Sequence, residues 1–185
     1  MSELQTVVEQ LYRLAKSGQW DHLISEWTES AVLANRCSRY AKPGSAWTFL
    51  HQAAHSGNER ACRILISRGA SVAALTHDSR SPAHVAEQRG HHDLAALLRQ
   101  ASAGTDPLWL PPADPDVLPS SSRWGEATEA VAQTVLFVAY AGSLVRISRG
   151  TRYFVDSFGR VLVGWHGTYN PPRGMDGYSM VSGES

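Results

Sequence analysis

Histidine is the residue of this chain that could support the widest range of chemistry, since imidazole binds metals and transfers protons near neutral pH. The chain has eight histidines among 185 residues. A zinc site needs three or four ligands that converge on one point. His91 and His92 are adjacent and follow the helix breaker Gly90, so their side chains diverge and a solvated turn is favoured. No set of His, Asp and Glu has the spacing of ligands, and we predict neither a metal site nor a cofactor.

A catalytic serine or a phosphate-binding loop would show its own pattern of glycines. Ser143 follows Gly142 but lacks the flanking glycines of a nucleophile elbow. The string His166-Gly167-Thr168 resembles the strand with which ADP-ribosyltransferases of the poly(ADP-ribose) type hold the nicotinamide ribose. That resemblance implies an alternative in which the C-terminal unit is an enzyme. Because it covers three residues, we expect a strand end and a turn there, and we predict no catalytic residue.

Composition and charge narrow the class of protein. The chain is 43% hydrophobic and 18% charged, as in a soluble globular protein, with a formal net charge of zero. This charge argues against nucleic-acid binding, which needs a basic surface. The sequence shows no signal peptide and no run of the roughly 18 apolar residues that span a bilayer. We expect a cytoplasmic monomer that binds neither nucleic acid nor membrane.

The cysteines give no framework for disulfides or zinc. Cys37 and Cys62 are the only two, and isolated thiols fit neither pattern. Cys62 falls on the same helical face as Leu65 and Ile66, so a buried, small hydrophobic residue is the favoured interpretation.

One pattern occurs twice between Trp47 and Leu98, with a spacing of 33 residues. It relates His51 to His84, Gly57 to Gly90 and Leu65 to Leu98. A period of this length is the signature of stacked structural repeats, each a unit that cannot bury its apolar face alone. The repeats are therefore the elements that would position any functional side chain.

Each copy predicts a pair of helices. Ser81-Pro82 is typical of a helix start, with a hydroxyl at the N-cap and proline at the first helical position. Gly90 ends this helix, because glycine adopts positive φ readily. A second helix is predicted over Asp93–Gln100, with Leu94, Leu97 and Leu98 on one face. The preceding copy predicts helices over Leu50–His55 and Glu59–Ser67, followed by a polar turn over 76–80.

These residues resemble the ankyrin-repeat family. Gly57-Asn58-Glu59, Arg68-Gly69-Ala70 and Ser81-Pro82-Ala83-His84-Val85-Ala86 are similar to its motifs. The resemblance covers roughly residues 1–102 and does not extend to the C-terminal 80 or so. It implies that His51 and His84 bind the backbone of neighbouring turns. Phe49 stands where the family has Pro, and Ser79 where it usually has Gly.

The predicted fold is mainly α: a short ankyrin-type α-solenoid of about three helix–turn–helix repeats, a Pro-rich segment and a small antiparallel β (α+β) unit. The repeat domain spans 1–103, with repeats at about 1–45, 46–78 and 79–102. In the first repeat, Ser2–Ala15 and Asp21–Trp27 are predicted helices, and 31–45 a long finger loop.

The remainder divides at 122. Residues 104–122 contain five prolines, which exclude regular helix or sheet. Apolar residues such as Val117 and Leu118 predict that this linker covers the last repeat as a cap. The unit over 123–185 is predicted to contain a helix over Glu126–Gln133, three or four strands over 134–165, and a loose tail from Asn170.

The resemblance implies that the protein binds a partner protein without catalysis. Family members grip partners with the finger turns and the exposed side of each repeat's first helix, which together we call the concave face. In this sequence those positions are Lys42, Ser45, Trp47, His55 and Ser56 in one repeat, and Leu75, His77, Asp78, Arg80, Gln88 and Arg89 in the next. Trp and Arg among them suit an interface hot spot. An immunity or inhibitor protein with one dedicated target is an alternative.

Overall fold

The computed structural model describes residues 2–103, 114–140 and 142–163. The chain forms two compact units, Met1–Gly104 and Thr105–Ser185. In the described part of the first unit, seven helices follow in order: α1 Glu3–Lys16, α2 Trp20–Glu29, α3 Ala31–Arg39, α4 Phe49–Ser56, α5 Glu59–Ser67, α6 Pro82–Gln88 and α7 His92–Ser102.

Short polar side chains begin most of these helices. Hydroxyls of Ser2, Ser30, Thr48 and Ser81 accept hydrogen bonds from backbone N–H groups in the first turns of α1, α3, α4 and α6, and Asn58 does so for α5. These bonds satisfy N–H groups that have no partner within the helix. The predicted helices of both copies are confirmed.

The helices pack in pairs that repeat along the unit. α1 packs against α4, which packs against α6, while α3 packs against α5. The predicted burial of equivalent leucines is confirmed, because Leu65 is 0% and Leu98 1% exposed. Cys37 and Cys62 are also fully buried, and burial raises the pKa of each thiol to about 12.

The prediction of a long finger loop over 31–45 is wrong for most of its length. Residues Ala31–Arg39 form α3, which buries Ala34 and Cys37 and packs against α1, α2 and α5. Its sequence has the start signal Ser30, whose hydroxyl accepts from the N–H of Leu33 at 3.3 Å. The first repeat is therefore longer because it contains a third helix, with only residues 40–48 left for the turn.

An aromatic cluster fills the space between the first repeat and the second. Phe49, at the first position of α4, is 0% exposed. Its ring centroid lies 5.2 Å from that of Tyr12, 5.9 Å from Trp27 and 5.9 Å from Tyr40. These separations are those of favourable aromatic pairs. Phenylalanine thus replaces the family's proline because α1, α2 and the first turn leave a ring-sized space there.

The described part of the C-terminal unit is built of short strands. They are β1 Val117–Leu118, β2 Ser120–Ser121, β3 Thr128–Val131, β4 Leu136–Tyr140, β5 Ser143–Ile147, β6 Arg152–Val155 and β7 Val161–Leu162. They form two sheets, in the orders β1-β4-β5 and β2-β7-β6-β3. The expected antiparallel pairs are present, and the pairs β1–β4 and β2–β7 are parallel. The unit is therefore a mixed β structure.

The predicted helix over Glu126–Gln133 is wrong. Trp124–Glu126 is a short 3-10 helix, and Thr128–Val131 pairs with β6 as a strand. Arg152 on β6 donates from Nε and Nη2 to the carboxylate of Glu129 on β3, at 2.9 and 2.7 Å. Backbone pairing and this cross-strand ion pair override the helical preference of Ala and Glu.

Residues 117–118 also differ from the prediction that they lie against the last repeat. They form β1, and Leu118 belongs to a buried cluster with Val138, Val145 and Ile147. The C-terminal unit therefore has its own core. Leu108 and Trp109, and the tail predicted to be loose, lie outside the described residues.

Candidate functional site

Two finger turns connect the helical pairs, the first over residues 40–48 and the second over 71–81. In the first, Ala41 forms an isolated antiparallel bridge with Thr48, and the N–H of Lys42 donates to the carbonyl of Trp47 at 2.8 Å. Ala46 has a φ of 58° and Ser79, one period later, has 62°. Both turns thus keep the left-handed residue that the family usually supplies as Gly.

The second finger turn is held by its own polar residues. The N–H of Thr76 donates to the carbonyl of Arg80 at 3.0 Å, and the Thr76 hydroxyl donates to Asp78 Oδ1 at 2.6 Å. That hydrogen bond, with help from Arg80, lowers the pKa of the Asp78 carboxyl. The N–H of His77 donates to the carbonyl of Ser45 at 3.0 Å, so the two finger turns are joined.

Trp47 is the centre of a cluster of side chains on these turns. Cζ of Arg80 lies over its ring, 5.4 Å from the centroid. The rings of His51 and His55 have centroids 5.7 and 6.1 Å away. Trp47 is half-buried, so one part of the indole packs on α4 and the rest is open to solvent.

Arg80 is fixed by further partners. Its Nη2 lies 2.6 Å from Asp78 Oδ2, and its Nη1 donates to Gln88 Oε1 on α6 at 3.2 Å. Four predicted positions, Trp47, Asp78, Arg80 and Gln88, are therefore in one connected set of contacts. Such a set holds an aromatic and an Arg side chain in place before any partner arrives.

The two histidines at equivalent positions behave differently. His51 is 0% exposed, and its Nε2 donates to the carbonyl of Arg80 at 3.0 Å while Nδ1 accepts from the Thr48 N–H at 3.3 Å. Burial lowers the pKa of His51, which keeps the ring neutral. The prediction is confirmed for His51 but wrong for His84, whose ring is exposed and accepts only from the N–H of Ser81 at 3.4 Å.

His55 lies at the exposed end of α4, beside the next repeat. Nε2 of His91 approaches the carbonyl of His55 at 3.3 Å, and a Cβ at Gly57 would stand 2.6 Å from Cε1 of His91. Gly57, with a φ of 68°, thus permits both the helix end and this close approach. Burial lowers the pKa of His55, and Arg89 lowers it further.

A groove of about 360 Å³ opens next to Trp47, between α1, the first finger turn and α4. We call it the lysine groove. Its lining residues are Tyr12, Lys16, Lys42, Ser45, Trp47, Gln52 and His55. A second groove of about 490 Å³ shares Tyr12, Lys16 and Lys42 and adds Glu9, Arg13, Tyr40 and Pro43.

The predicted positions are distributed over this surface as follows. Lys42, Ser45, Trp47 and His55 line the lysine groove, and Asp78, Arg80 and Gln88 adjoin it through Trp47. His77 joins them through its backbone, and Arg89 through its charge near His55. Ser56 and Leu75 are exposed without a described contact to this set.

The structure adds three residues that the sequence interpretation missed: Tyr12, Lys16 and Gln52. Gln52 lies one turn before His55 on α4, and its amide donates to the Tyr12 hydroxyl at 2.9 Å. Its spacing from His55 was a usable signal, since i and i+3 share a helix face. Tyr12 and Lys16 have no such signal, because only the packing of α1 on α4 brings them to the groove.

Two other candidate chemistries find no support in the described part of the chain. No group of three or more His, Cys, Asp or Glu residues there could hold a metal ion. No helix there is long and apolar enough to cross a membrane. His166, Gly167 and Thr168 lie outside the described residues.

Comparison with known proteins decides the family. Residues 11–108, more than half of the chain, match the family model for ankyrin repeats (3 copies). The chain belongs to the ankyrin-repeat family. Ankyrin repeats are generally protein–protein interaction modules and typically have no enzymatic activity.

A curated relative with ankyrin repeats is calmodulin-binding transcription activator 4 of Arabidopsis thaliana, which is 32% identical over 83 residues. The match covers 42% of this chain and 8% of that protein. The likeness is therefore confined to a small part of the relative.

Proposed function

We propose that this ankyrin-repeat chain is a non-catalytic binding module that holds a partner protein against its concave face. The observation that carries the proposal is the cluster around Trp47. An aromatic ring is half-buried on α4, and Arg80 lies over it while Asp78 and Gln88 hold Arg80. Trp and Arg are the residue types that contribute most energy to protein interfaces.

Pre-organisation supports the same proposal. The backbone bond from His77 to Ser45 joins the two finger turns, so their tips form one continuous edge. Less conformational entropy is lost on binding when the contact residues are already ordered. A partner meeting this edge would contact several anchors at once.

Site-specific photo-crosslinking tests this proposal. A benzoylphenylalanine residue would replace His77 on the second finger turn, or Arg60 on α5 as the matched control, in the protein expressed in its native host. Both positions are exposed, so each change should leave folding nearly intact. We expect a discrete crosslinked partner from position 77 and none from position 60. Crosslinking from position 60 alone would place the interface on the outer helices instead.

A further inference from the structure

The chain contains two lysines, and both line the lysine groove. Lys16 is the last residue of α1, and Lys42 lies in the first finger turn. All other positive residues among its 17 Lys and Arg are arginines. Residues distant in sequence thus supply the chain's only ammonium groups to one depression of about 360 Å³.

The charge of these ammonium groups is not compensated by neighbours. Within the described residues, no ion pair joins Lys16 or Lys42 to a carboxylate, although other cations there do pair, as Arg80 does with Asp78. Both lysines are exposed. Glu9 is the one carboxylate lining the adjoining groove, and it accepts from the Gln5 amide at 3.3 Å. Arg13 adds a third cation there.

The wall beside the lysines is aromatic. Trp47 and Tyr12 both line the lysine groove, and the Tyr12 hydroxyl already accepts a hydrogen bond from Gln52. The exposed ring surface therefore offers apolar contact, flanked by two positive charges. A ligand that matches this arrangement carries carboxylates on either side of an apolar side chain.

We propose that the lysine groove takes an acidic segment of the partner protein, with its carboxylates on Lys16 and Lys42 and an apolar side chain against Trp47. This inference rests on the proposed function and deepens it, because it names the chemistry of the partner. A protein segment fits better than a nucleic acid, since the chain has no net positive charge and a nucleic acid requires an extended basic surface.

A random-peptide display library, panned on the immobilised full chain, supplies the probe for the test. We expect enriched peptides to have an excess of Asp and Glu around an aromatic or aliphatic residue. The most enriched peptide, synthesised with a fluorescent label, then gives affinities by fluorescence anisotropy. Its affinity should fall as salt is raised, because exposed charge pairs are screened.

Charge reversal identifies the lysines as the cause. Lys16→Glu with Lys42→Glu should weaken peptide binding by about tenfold or more, since two attractive contacts become repulsive. The matched control, Arg60→Glu with Arg149→Glu, makes the same charge change at exposed positions outside the groove and should leave affinity within about twofold. Circular dichroism checks folding, and Lys16→Gln with Lys42→Gln replaces the reversal if it unfolds the chain.

Acylation gives a second readout without any variant. An N-hydroxysuccinimide ester modifies Lys16, Lys42 and the amino terminus, and mass spectrometry resolves the three sites. Bound peptide should protect both lysines while the amino terminus still reacts. Full reactivity of both lysines under saturating peptide would contradict the proposal.

The outcomes separate this inference from the proposed function. Peptide binding that is lost in Trp47→Ala but unchanged by lysine reversal would overturn the acidic assignment and leave the concave face as the interface. Binding that is unchanged in both variants would contradict both proposals. Failure to enrich acidic peptides, or tighter lysine-dependent binding of a labelled single-stranded oligonucleotide, would overturn the acidic protein segment alone, since crosslinking from position 77 reports the interface independently.

Discussion

Arg80 lies over the ring of Trp47, with its Cζ atom 5.4 Å from the ring centroid, and this contact links the side chains of the two finger turns. A cation over an indole face contributes about 0.5–1 kcal/mol at an exposed site. Here its larger effect is to order both residues, because Arg80 also contacts Asp78 and Gln88. The proposed interface is thus structured in the free protein.

Phe49 provides a test of the aromatic cluster. Phe49→Pro restores the residue that the family has at this position, and proline is compatible with the first position of a helix. The ring contacts with Tyr12, Trp27 and Tyr40 would be lost. We therefore expect the substitution to lower the free energy of unfolding by about 3–5 kcal/mol, as for a buried Phe→Ala change. Urea unfolding measures it, with Phe49→Leu as a control that should lose less; an unchanged midpoint for Phe49→Pro would contradict the role of the ring.

The left-handed residues of the finger turns give a prediction of opposite sign. A residue with a side chain costs roughly 1–2 kcal/mol in the left-handed region, whereas glycine adopts it freely. Ala46→Gly and Ser79→Gly should each raise the free energy of unfolding by about 1 kcal/mol, after the greater entropy of glycine in the unfolded chain is considered.

A matched control uses alanine in a helix. Ala96 is exposed within α7, and Ala96→Gly should lower stability by about 1 kcal/mol. If thermal unfolding gave the same sign for Ala46→Gly and Ala96→Gly, the strain assigned to the first finger turn would be refuted.

His51 predicts how stability depends on pH. Burial lowers its pKa from the usual 6.5, so the folded chain takes up this proton at lower pH than the unfolded chain does. Its contribution is fully present above pH 6.5 and is lost as the pH falls from there through the folded-state pKa. Urea unfolding between pH 6.5 and about pH 5, above the main titration range of carboxylates, should show falling stability.

Substitution separates His51 from the other groups that titrate in this range. His51→Gln removes the buried imidazole and should flatten the dependence of unfolding free energy on pH, even if the variant is less stable throughout. Some slope should remain from His55, whose pKa burial also lowers. An equal slope in the native chain and in His51→Gln would show that His51 does not titrate differently on folding.

The repeats were predictable from the sequence because their signals are local. Ser81, Pro82 and Gly90 mark the bounds of a helix, and the spacing of 33 residues fixes the equivalent positions of the preceding copy. α3 was missed since the longer first repeat was attributed to its turn, although Ser30 and the apolar Ala34 and Cys37 have helical spacing. The strand over 128–131 was mistaken for helix because its partner β6 lies more than 20 residues away.

The candidate site was only partly predictable for a related reason. The repeat register placed Trp47 and Arg80 on successive finger turns, but the contact between their side chains depends on chain packing. Lys16 entered the site because α1 packs against α4, and no sequence spacing reports that packing. His84 was assigned to the interior by equivalence with His51, whose Nε2 bonds a finger turn one repeat further along. The position equivalent to that turn, residue 113, lies outside the described residues.

The most direct test of the concave face is the affinity of the crosslinked partner, once purified, for the variant Trp47→Ala, His77→Ala, Arg80→Ala, measured by isothermal titration calorimetry. We predict that binding is abolished, because anchors of these types contribute about 2 kcal/mol or more apiece. Circular dichroism and urea unfolding should show a folded chain, since none of the three side chains is in the buried core. Unchanged affinity in a folded variant would contradict the account and assign the interface to the outer helices or the C-terminal unit.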